Sequence, residues 1–382
     1  MKLLSLLREL KKSFSGYEPL IEVLVYKDRL LHNLHTFQKK YPDCQFAPVL
    51  KSNAYGHGLF PVAKILDDQK VAFLAVDSIF EAIMLRKEGI KSKLLVIGYT
   101  RPQDIVRNHY KNIAFTITNY AQLVEIAKKL RKKQSFHLKI DTGMHRQGIL
   151  PSEIKNSIAR IKSNKKIILE GICSHFALAD STDTKYSELQ IKNWNEAVNK
   201  FKQVFPLIKY FHNSATGASF YRQRNTNVVR LGLGLYGMDP SPNRTINLKP
   251  ALELCTIISG IKIIQKGEYV GYGLTFRAKE KMKVATVPAG YFEGVDRRLS
   301  NRGFYKIGDC FCPILGRVSM NISVINVSKV KGLKVGSPVT LISKYKKNPN
   351  SAWQIAKLCD TIPYEILVHI PQHLRRTMIT GD

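Results

Sequence analysis

Acidic residues are scarce in this chain: 29 Asp and Glu stand against 60 Lys and Arg in 382 residues, a net charge of +31. A field of that sign attracts anions and phosphorylated ligands and, more weakly, nucleic acid. The basic clusters at Lys128–Lys133, Lys162–Lys166 and Lys344–Lys347 are scattered and have no interleaved aromatic platform. They read as solvated helix faces and loops, so nucleic acid is not the expected partner. Long apolar runs are also missing, which excludes a membrane-spanning helix. The opening Met1–Lys12 stretch has too short an apolar core, broken by charges, for a secretory signal. Cysteine is sparse, with six widely spaced residues. The one close pair, Cys310 and Cys312, has no second pair or His cluster to complete a zinc site. The expectation is a cytoplasmic protein with reduced thiols, no metal and no membrane contact. Sequence repeats and low-complexity tracts are absent.

What is present is an alternation. Eight short apolar runs separate amphipathic stretches: Gln45–Leu50, Phe73–Val76, Leu94–Ile97, Ala114–Ile117, Phe136–Ile140, Ile167–Cys173, Lys209–Phe211 and Val228–Leu231. Helix-like segments between them include Ser78–Lys87, Tyr120–Leu130 and Glu188–Phe205. Eight strands alternating with helices predict an α/β fold, a (β/α)8 barrel of the TIM type. An open doubly wound sheet is the alternative, but no G-x-G-x-x-G follows the first strand. A β-type run at Leu20–Tyr26 is surplus to the barrel and free to pair elsewhere. After about Pro250 the texture becomes β-rich, with runs at Ile257–Ile264, Val284–Val287, Val324–Val327 and Val339–Ser343 and one helix near Ala352–Cys359. The reading is a barrel domain over 1–250 and a smaller, mostly β domain over 251–382, which the strand at about 20–26 is free to join.

Barrels of this type carry chemistry at the C-terminal ends of their strands. Polar residues mark five of those ends here: Lys51; Lys139, Asp141 and Arg146; Ser174, His175 and Asp180; Asn213 and Ser214; Arg230, Gly232 and Gly234. Lys51 ends the run Phe46–Leu50 and opens the glycine-punctuated Ser52–Gly58. It is either a strand-end lysine reaching for solvent or an amine held for Schiff-base chemistry. The loops after strands seven and eight frequently build phosphate sites. Ser214 and the small-residue backbone around Gly232 suit one. A lysine facing a phosphate cup across a barrel mouth is what a pyridoxal phosphate enzyme requires.

The run Ala47-Pro48-Val49-Leu50-Lys51-Ser52-Asn53-Ala54-Tyr55-Gly56-His57-Gly58 resembles the pyridoxal phosphate attachment motif of bacterial alanine racemases. Further motifs follow in family order, among them Lys139–Arg146, Ser174–Ala177, His212–Ala215, Val229–Gly237, Gly271–Gly273, Pro288–Tyr291, Gly316–Met320 and Ile362–Glu365. The resemblance runs from about Leu20 to His369 and implies a head-to-tail homodimer. It also implies the cofactor pyridoxal 5'-phosphate and alanine as substrate, racemised to supply D-alanine for peptidoglycan. It assigns Lys51 as the cofactor-bearing lysine and one base. Tyr272, from the partner subunit, is the opposing base, with His175 contacting that tyrosine. Arg230 faces the pyridine nitrogen, where a permanent cation weakens the electron sink. Tyr55, Ser214, Gly232, Leu233 and Tyr364 hold the phosphate. Arg146 and the Met320 backbone hold the substrate carboxylate, and Lys139 aligns with a lysine carbamylated in some members. Tyr291 and Asp180 fall in the substrate entryway, and Arg317 is either there or structural. One departure is Asn321, where the family usually has Asp after Met. Outside the resemblance, Tyr272 reads as a turn tyrosine, His175 as a core histidine, Arg230 as the partner of some carboxylate and Tyr364 as a packed aromatic. Rival functions are a racemase of broader specificity acting on serine or lysine, a non-catalytic pyridoxal phosphate-binding barrel, a decarboxylase of the same barrel class and a nucleic-acid-binding protein.

Overall fold

The computed structural model describes residues 18–179, 181–218, 225–241 and 246–381. Asp180 and the Met1–Lys12 stretch lie outside the described residues. Two compact units emerge: one over Val25–Leu252 with Leu367–His369 and the residues from Met378 on, the other over Glu253–Ile366 and Ile370–Thr377 with the residues before Val25.

After strand β1 (Glu22–Tyr26), the first unit contains all eight expected strands. They are β2 (Gln45–Pro48), β3 (Leu74–Val76), β4 (Leu94–Val96), β5 (Ile113–Ile117), β6 (Gln134–Lys139), β7 (Ile167–Cys173), β8 (Tyr210–His212) and β9 (Val228–Leu231). Strands β3 to β8 form one parallel sheet in sequence order, and β2 pairs in parallel with β9. Two isolated parallel bridges, Val49 with Ala75 and Ala215 with Arg230, join the pair to the six. The ring therefore closes, which rules out the open sheet. The strands read as near-continuous apolar runs because both their faces are buried; every residue of β3, β4, β5 and β9 is buried.

Local sequence chemistry sets where the helices begin. Ser78 caps the helix Ile79–Lys87 in a reciprocal box with Glu81. Asn119 caps Tyr120–Lys129 by accepting from Gln122 N at 2.8 Å. The long helix Lys185–Val204 buries Trp194 completely. No helix among the described residues is long and apolar enough to cross a membrane.

The second unit is organised on a nine-stranded sheet. Its strands are β10 (Leu252–Ile257), β11 (Gly260–Ile264), β14 (Met282–Val287), β15 (Phe304–Ile307), β16 (Cys310–Leu315), β17 (Ser323–Asn326), β18 (Pro338–Ile342) and β19 (Arg375–Ile379), joined by β1 between β10 and β19. A small hairpin, β12 (Tyr269–Val270) with β13 (Phe276–Arg277), stands apart. The surplus strand thus pairs in this sheet. The run expected at Ile257–Ile264 holds β11 and only the last residue of β10, so Leu252–Thr256 is strand outside the expectation. Between the two, Ile258 N binds Ser337 O and Ser259 N binds Thr286 O, both at 2.9 Å, where the chain leaves β18 and crosses to β14. The one expected helix, Ala352–Leu358, is followed by a second, Pro363–Val368, too short to show a periodic pattern.

The seam beside the first strand is held by Tyr236, fully buried, whose hydroxyl donates to Val49 O at 2.8 Å. Its ring packs on Tyr55 and His57 with centroids 4.9 and 4.4 Å apart. Replacing Tyr236 with Phe strands the Val49 carbonyl in the core. Urea denaturation of Tyr236→Phe should show a loss of about 1–3 kcal/mol with an unchanged m value; equal midpoints would refute this role for the hydroxyl.

Candidate active site

Leu50 is fully buried and Lys51, the next residue, is half-buried at the C-terminal end of β2. The chain then makes a left-handed turn: Ser52, Asn53, Ala54 and Tyr55 all have φ between 51° and 56°. Four non-glycine residues in that region cost roughly 1–2 kcal/mol each, so the surroundings must over-determine the turn. Glu81 does so from one side, accepting Ser52 N on Oε1 at 3.0 Å and Asp77 N on Oε2 at 2.8 Å. Asn53 does so from the other, its Oδ1 accepting Leu59 N at 2.8 Å.

Arg230, on β9, is 8% exposed. Its guanidinium donates to the carbonyls of His212 at 2.5 Å, Ser174 at 2.8 Å and Asn213 at 3.3 Å, and to Nδ1 of His212 at 2.8 Å and of His175 at 2.9 Å. These partners are neutral, which replaces the carboxylate pairing open from sequence. A guanidinium only donates, so both histidines are acceptors at Nδ1 and carry their proton on Nε2. His212 Nε2–H then meets His137 Nδ1 at 2.7 Å, which puts the His137 proton on Nε2. Gly171 makes room for this ring: a Cβ there would stand 2.5 Å from His137 Nδ1. Sequence reasoning missed His137 and His212 as parts of the site, because they lie 75 residues apart in the chain.

Lys51, Lys139, Arg146, His175 and Arg230 line one cavity of about 410 Å³ at the C-terminal ends of the strands, together with Asp77 and Gln147. Four cationic side chains thus share the cavity wall with one carboxylate. Burial pushes the Lys139 ammonium down from its ordinary value, and the nearby Arg230 and Arg146 add to the effect while Cys173 and Asp141 oppose it. Its Nζ donates to Gln147 Oε1 at 3.2 Å. The Arg146 loop is shaped by Asp141, which accepts Gly143 N and His145 N at 3.0 and 3.1 Å. Gly148, at φ 140°, passes so close that a Cβ would lie 2.3 Å from Asp141 N. Asp77 and Gln147 were not foreseen as part of the site.

Ser214 opens the loop to Thr216, whose hydroxyl accepts both Gly232 N and Gly234 N at 3.2 Å. Between them, the N–H of Leu233, a residue 1% exposed, has no acceptor among the described residues. A Cβ on Gly232 would stand 2.9 Å from the Tyr55 hydroxyl. Buried N–H groups are nearly always paired, so this corner leaves a donor for an acceptor from outside the described residues.

In the second unit, Tyr272 is 72% exposed in a turn between β12 and β13, flanked by Gly271 and Gly273 at φ 74° and 70°. A Cβ on Gly273 would meet Arg317 Nε at 3.2 Å, so this turn touches the turn that carries Met320. Tyr291 is 44% exposed in the single turn Tyr291–Glu293. The Met320 N–H has no partner among the described residues. Tyr364, half-buried, lies in the Pro363–Val368 helix of which Glu365 accepts from Arg298 at 3.2 Å.

The histidine chain makes a pH prediction. Burial pushes His137 down to about 3 and holds His175 and His212 well below the usual imidazole range, with Arg230 adding to each. Unfolding returns all three to about 6.5, so between about pH 6.5 and 3 the unfolded chain binds protons that the folded chain does not. Stability is fully present above this window and falls on acidification, by up to about 1.4 kcal/mol per pH unit for each histidine. Urea denaturation at about pH 7.5 and about pH 5 reads the loss; His137→Gln should shrink it by up to one histidine's share, and an undiminished loss would contradict the assignment.

The chain matches the family models for the alanine racemase N-terminal domain over residues 25–240 and the alanine racemase C-terminal domain over residues 251–378. It is 34% identical over 365 residues to alanine racemase 2 of Caldanaerobacter subterraneus subsp. tengcongensis, covering 94% of each chain. It is also 34% identical over 361 residues to the alanine racemase of Carboxydothermus hydrogenoformans, covering 92% of this chain and 97% of that one. Among solved structures, the alanine racemase of Clostridium difficile 630 aligns with a TM-score of 0.89 at 30% identity, covering 96% of this chain and 97% of that one. The Bacillus anthracis alanine racemase with bound L-Ala-P aligns at 0.87 and 31% identity over 96% of both. On both halves of its length, then, the chain belongs to the alanine racemase family and is an isomerase of the racemase type.

Proposed function

We propose that this protein interconverts L- and D-alanine with pyridoxal 5'-phosphate, as a head-to-tail homodimer in the cytoplasm that supplies D-alanine for peptidoglycan. The observation that carries the reading is that Lys51 and Arg230 line one cation-rich cavity at the C-terminal rim of a closed barrel. The residues fit the cofactor. The Leu233 N–H, which has no acceptor among the described residues, the Tyr55 hydroxyl beside Gly232, and Ser214 would hold its phosphate. Lys51 would hold it covalently, and Arg230 would face its ring nitrogen. When bound, the cofactor supplies the electron sink that acidifies the substrate's α-hydrogen.

The chain's own groups do the rest. Arg230 is locked by three carbonyls and two histidine lone pairs, so it stays a cation that passes no proton on. Arg146 and the partner subunit's Met320 N–H, whose turn touches the turn that carries Tyr272, would take the substrate carboxylate. The Lys51 amine removes or returns the proton on one face and the partner subunit's Tyr272 hydroxyl does so on the other, which is what inverts the centre. The exposure of Tyr272, Leu274, Phe292, Met320 and Ile322, carried on turns that touch one another, supports burial of these turns against a second copy. The half-buried Lys139, whose ammonium is weakened by burial, is a candidate for N-carboxylation: its neutral amine would add carbon dioxide and lose a proton, turning one of the cavity's four cations into a second anion beside Asp77.

Incubating the purified protein with pyridoxal phosphate and L-alanine, then separating enantiomers, should yield D-alanine up to an equal mixture. L-serine and L-lysine run alongside should react more slowly; a clear preference for either would replace alanine as substrate. Tyr272→Phe should keep the absorbance of the lysine-bound cofactor while turnover falls about 10²- to 10⁴-fold. Activity surviving in that variant would end the two-base assignment.

A further inference from the structure

The turn that carries Met320 is built against the turn that carries Tyr291. Gly290 comes so close that a Cβ on it would stand 2.2 Å from Ser319 O and 2.4 Å from Met320 O. Tyr291 N donates to Ser319 O at 3.1 Å and Phe292 N to Met320 O at 2.9 Å. A trans peptide points its C=O and N–H in opposite directions. With Ser319 O tied to Tyr291, the Met320 N–H of the same peptide faces away from the junction, where it has no partner among the described residues.

Side chains close the junction. Glu293 is 8% exposed, and each of its oxygens has one N–H donor: Asn321 Nδ2 on Oε1 at 2.7 Å and Gly290 N on Oε2 at 2.8 Å. The residue directly after Met320 therefore anchors the whole turn through a buried carboxylate. An Asp at 321 would remove that donor and set two carboxylates against each other at hydrogen-bond distance, where both cannot stay ionised without strong repulsion. The chain's Asn at this position is thus matched to Glu293.

We infer that Asn321 is a positioning residue for the substrate carboxylate: its amide, held by Glu293, fixes the peptide that presents the Met320 N–H. This rests on the reading of Met320 as a carboxylate contact. The carboxylate is common to all amino-acid substrates, so the effect is on their binding in general and not on side-chain preference.

Steady-state kinetics of Asn321→Asp test the inference. KM should rise about tenfold, by the same factor for alanine and serine, while kcat changes far less. Adding Glu293→Gln to that variant restores the pair with roles exchanged, since the glutamine Nε2 can donate to Asp while its Oε1 accepts Gly290 N. The double variant should return KM to within about twofold of the parent, which also shows that the single variant had not simply misfolded. An unchanged KM in Asn321→Asp, a loss confined to kcat, or no recovery in the double variant overturns the inference. Absence of racemisation by the parent protein overturns the reading beneath it instead.

Discussion

A buried guanidinium with no carboxylate partner among the described residues is the constraint around which the barrel's site is organised. Arg230 sits where β8 meets β9, and an isolated charge there would cost several kcal/mol unless fully hydrogen-bonded. Three carbonyls and two imidazole nitrogens meet that demand. The solution propagates. His212 and His175 must be neutral acceptors, His212 must donate onward to His137, and Gly171 must lack a side chain so that the His137 ring fits. A register shift in the pairing of β6 with β7, where Phe136 faces Leu169 and His137 faces Gly171, falls at the same place. The net result is an excess of cations at the rim, where Arg230, Lys51, Lys139 and Arg146 share the cavity with the single carboxylate of Asp77.

The same logic explains the strained turn after Lys51. Left-handed backbone is unfavourable for Ser52, Asn53, Ala54 and Tyr55, yet it lets one short segment place the lysine at the strand end and the Tyr55 hydroxyl beside Gly232. The compensation comes from Glu81, which caps its own helix and the turn at once, and from Tyr236, which packs beneath Tyr55 and His57. Side chains that look purely structural are therefore part of how the amine is aimed.

Much of this was legible in the sequence, because it is local. The eight strands show as apolar runs since parallel strands are buried on both faces, and Lys51 shows because it ends one of them. Motif order carried the remaining assignments. What was not legible depends on distant pairings. His137 and His212 are ordinary strand residues until β6, β7 and β8 lie side by side. Asp77 reads as part of a helix cap, and Gln147 as one polar residue in a loop. In the second unit the hairpin of β15 and β16 and the strand β19 escaped notice, the first because Lys, Gly, Asp and Pro interrupt it and the second because Arg375, Arg376 and Thr377 hide its apolar alternation. Asn321 was visible as a departure, but only the geometry shows that Glu293 is its counterpart.

The central claim is that a lysine on one chain and a tyrosine on another complete a single site. Subunit complementation tests it most directly: Lys51→Ala and Tyr272→Phe proteins, each inactive alone, are denatured together, refolded as a mixture and assayed for racemisation. If each site draws Lys51 from one protomer and Tyr272 from its partner, random pairing leaves one intact site in half of the dimers, and activity returns to about one quarter of the parent value. Activity no greater than that of the separately refolded variants would contradict the account.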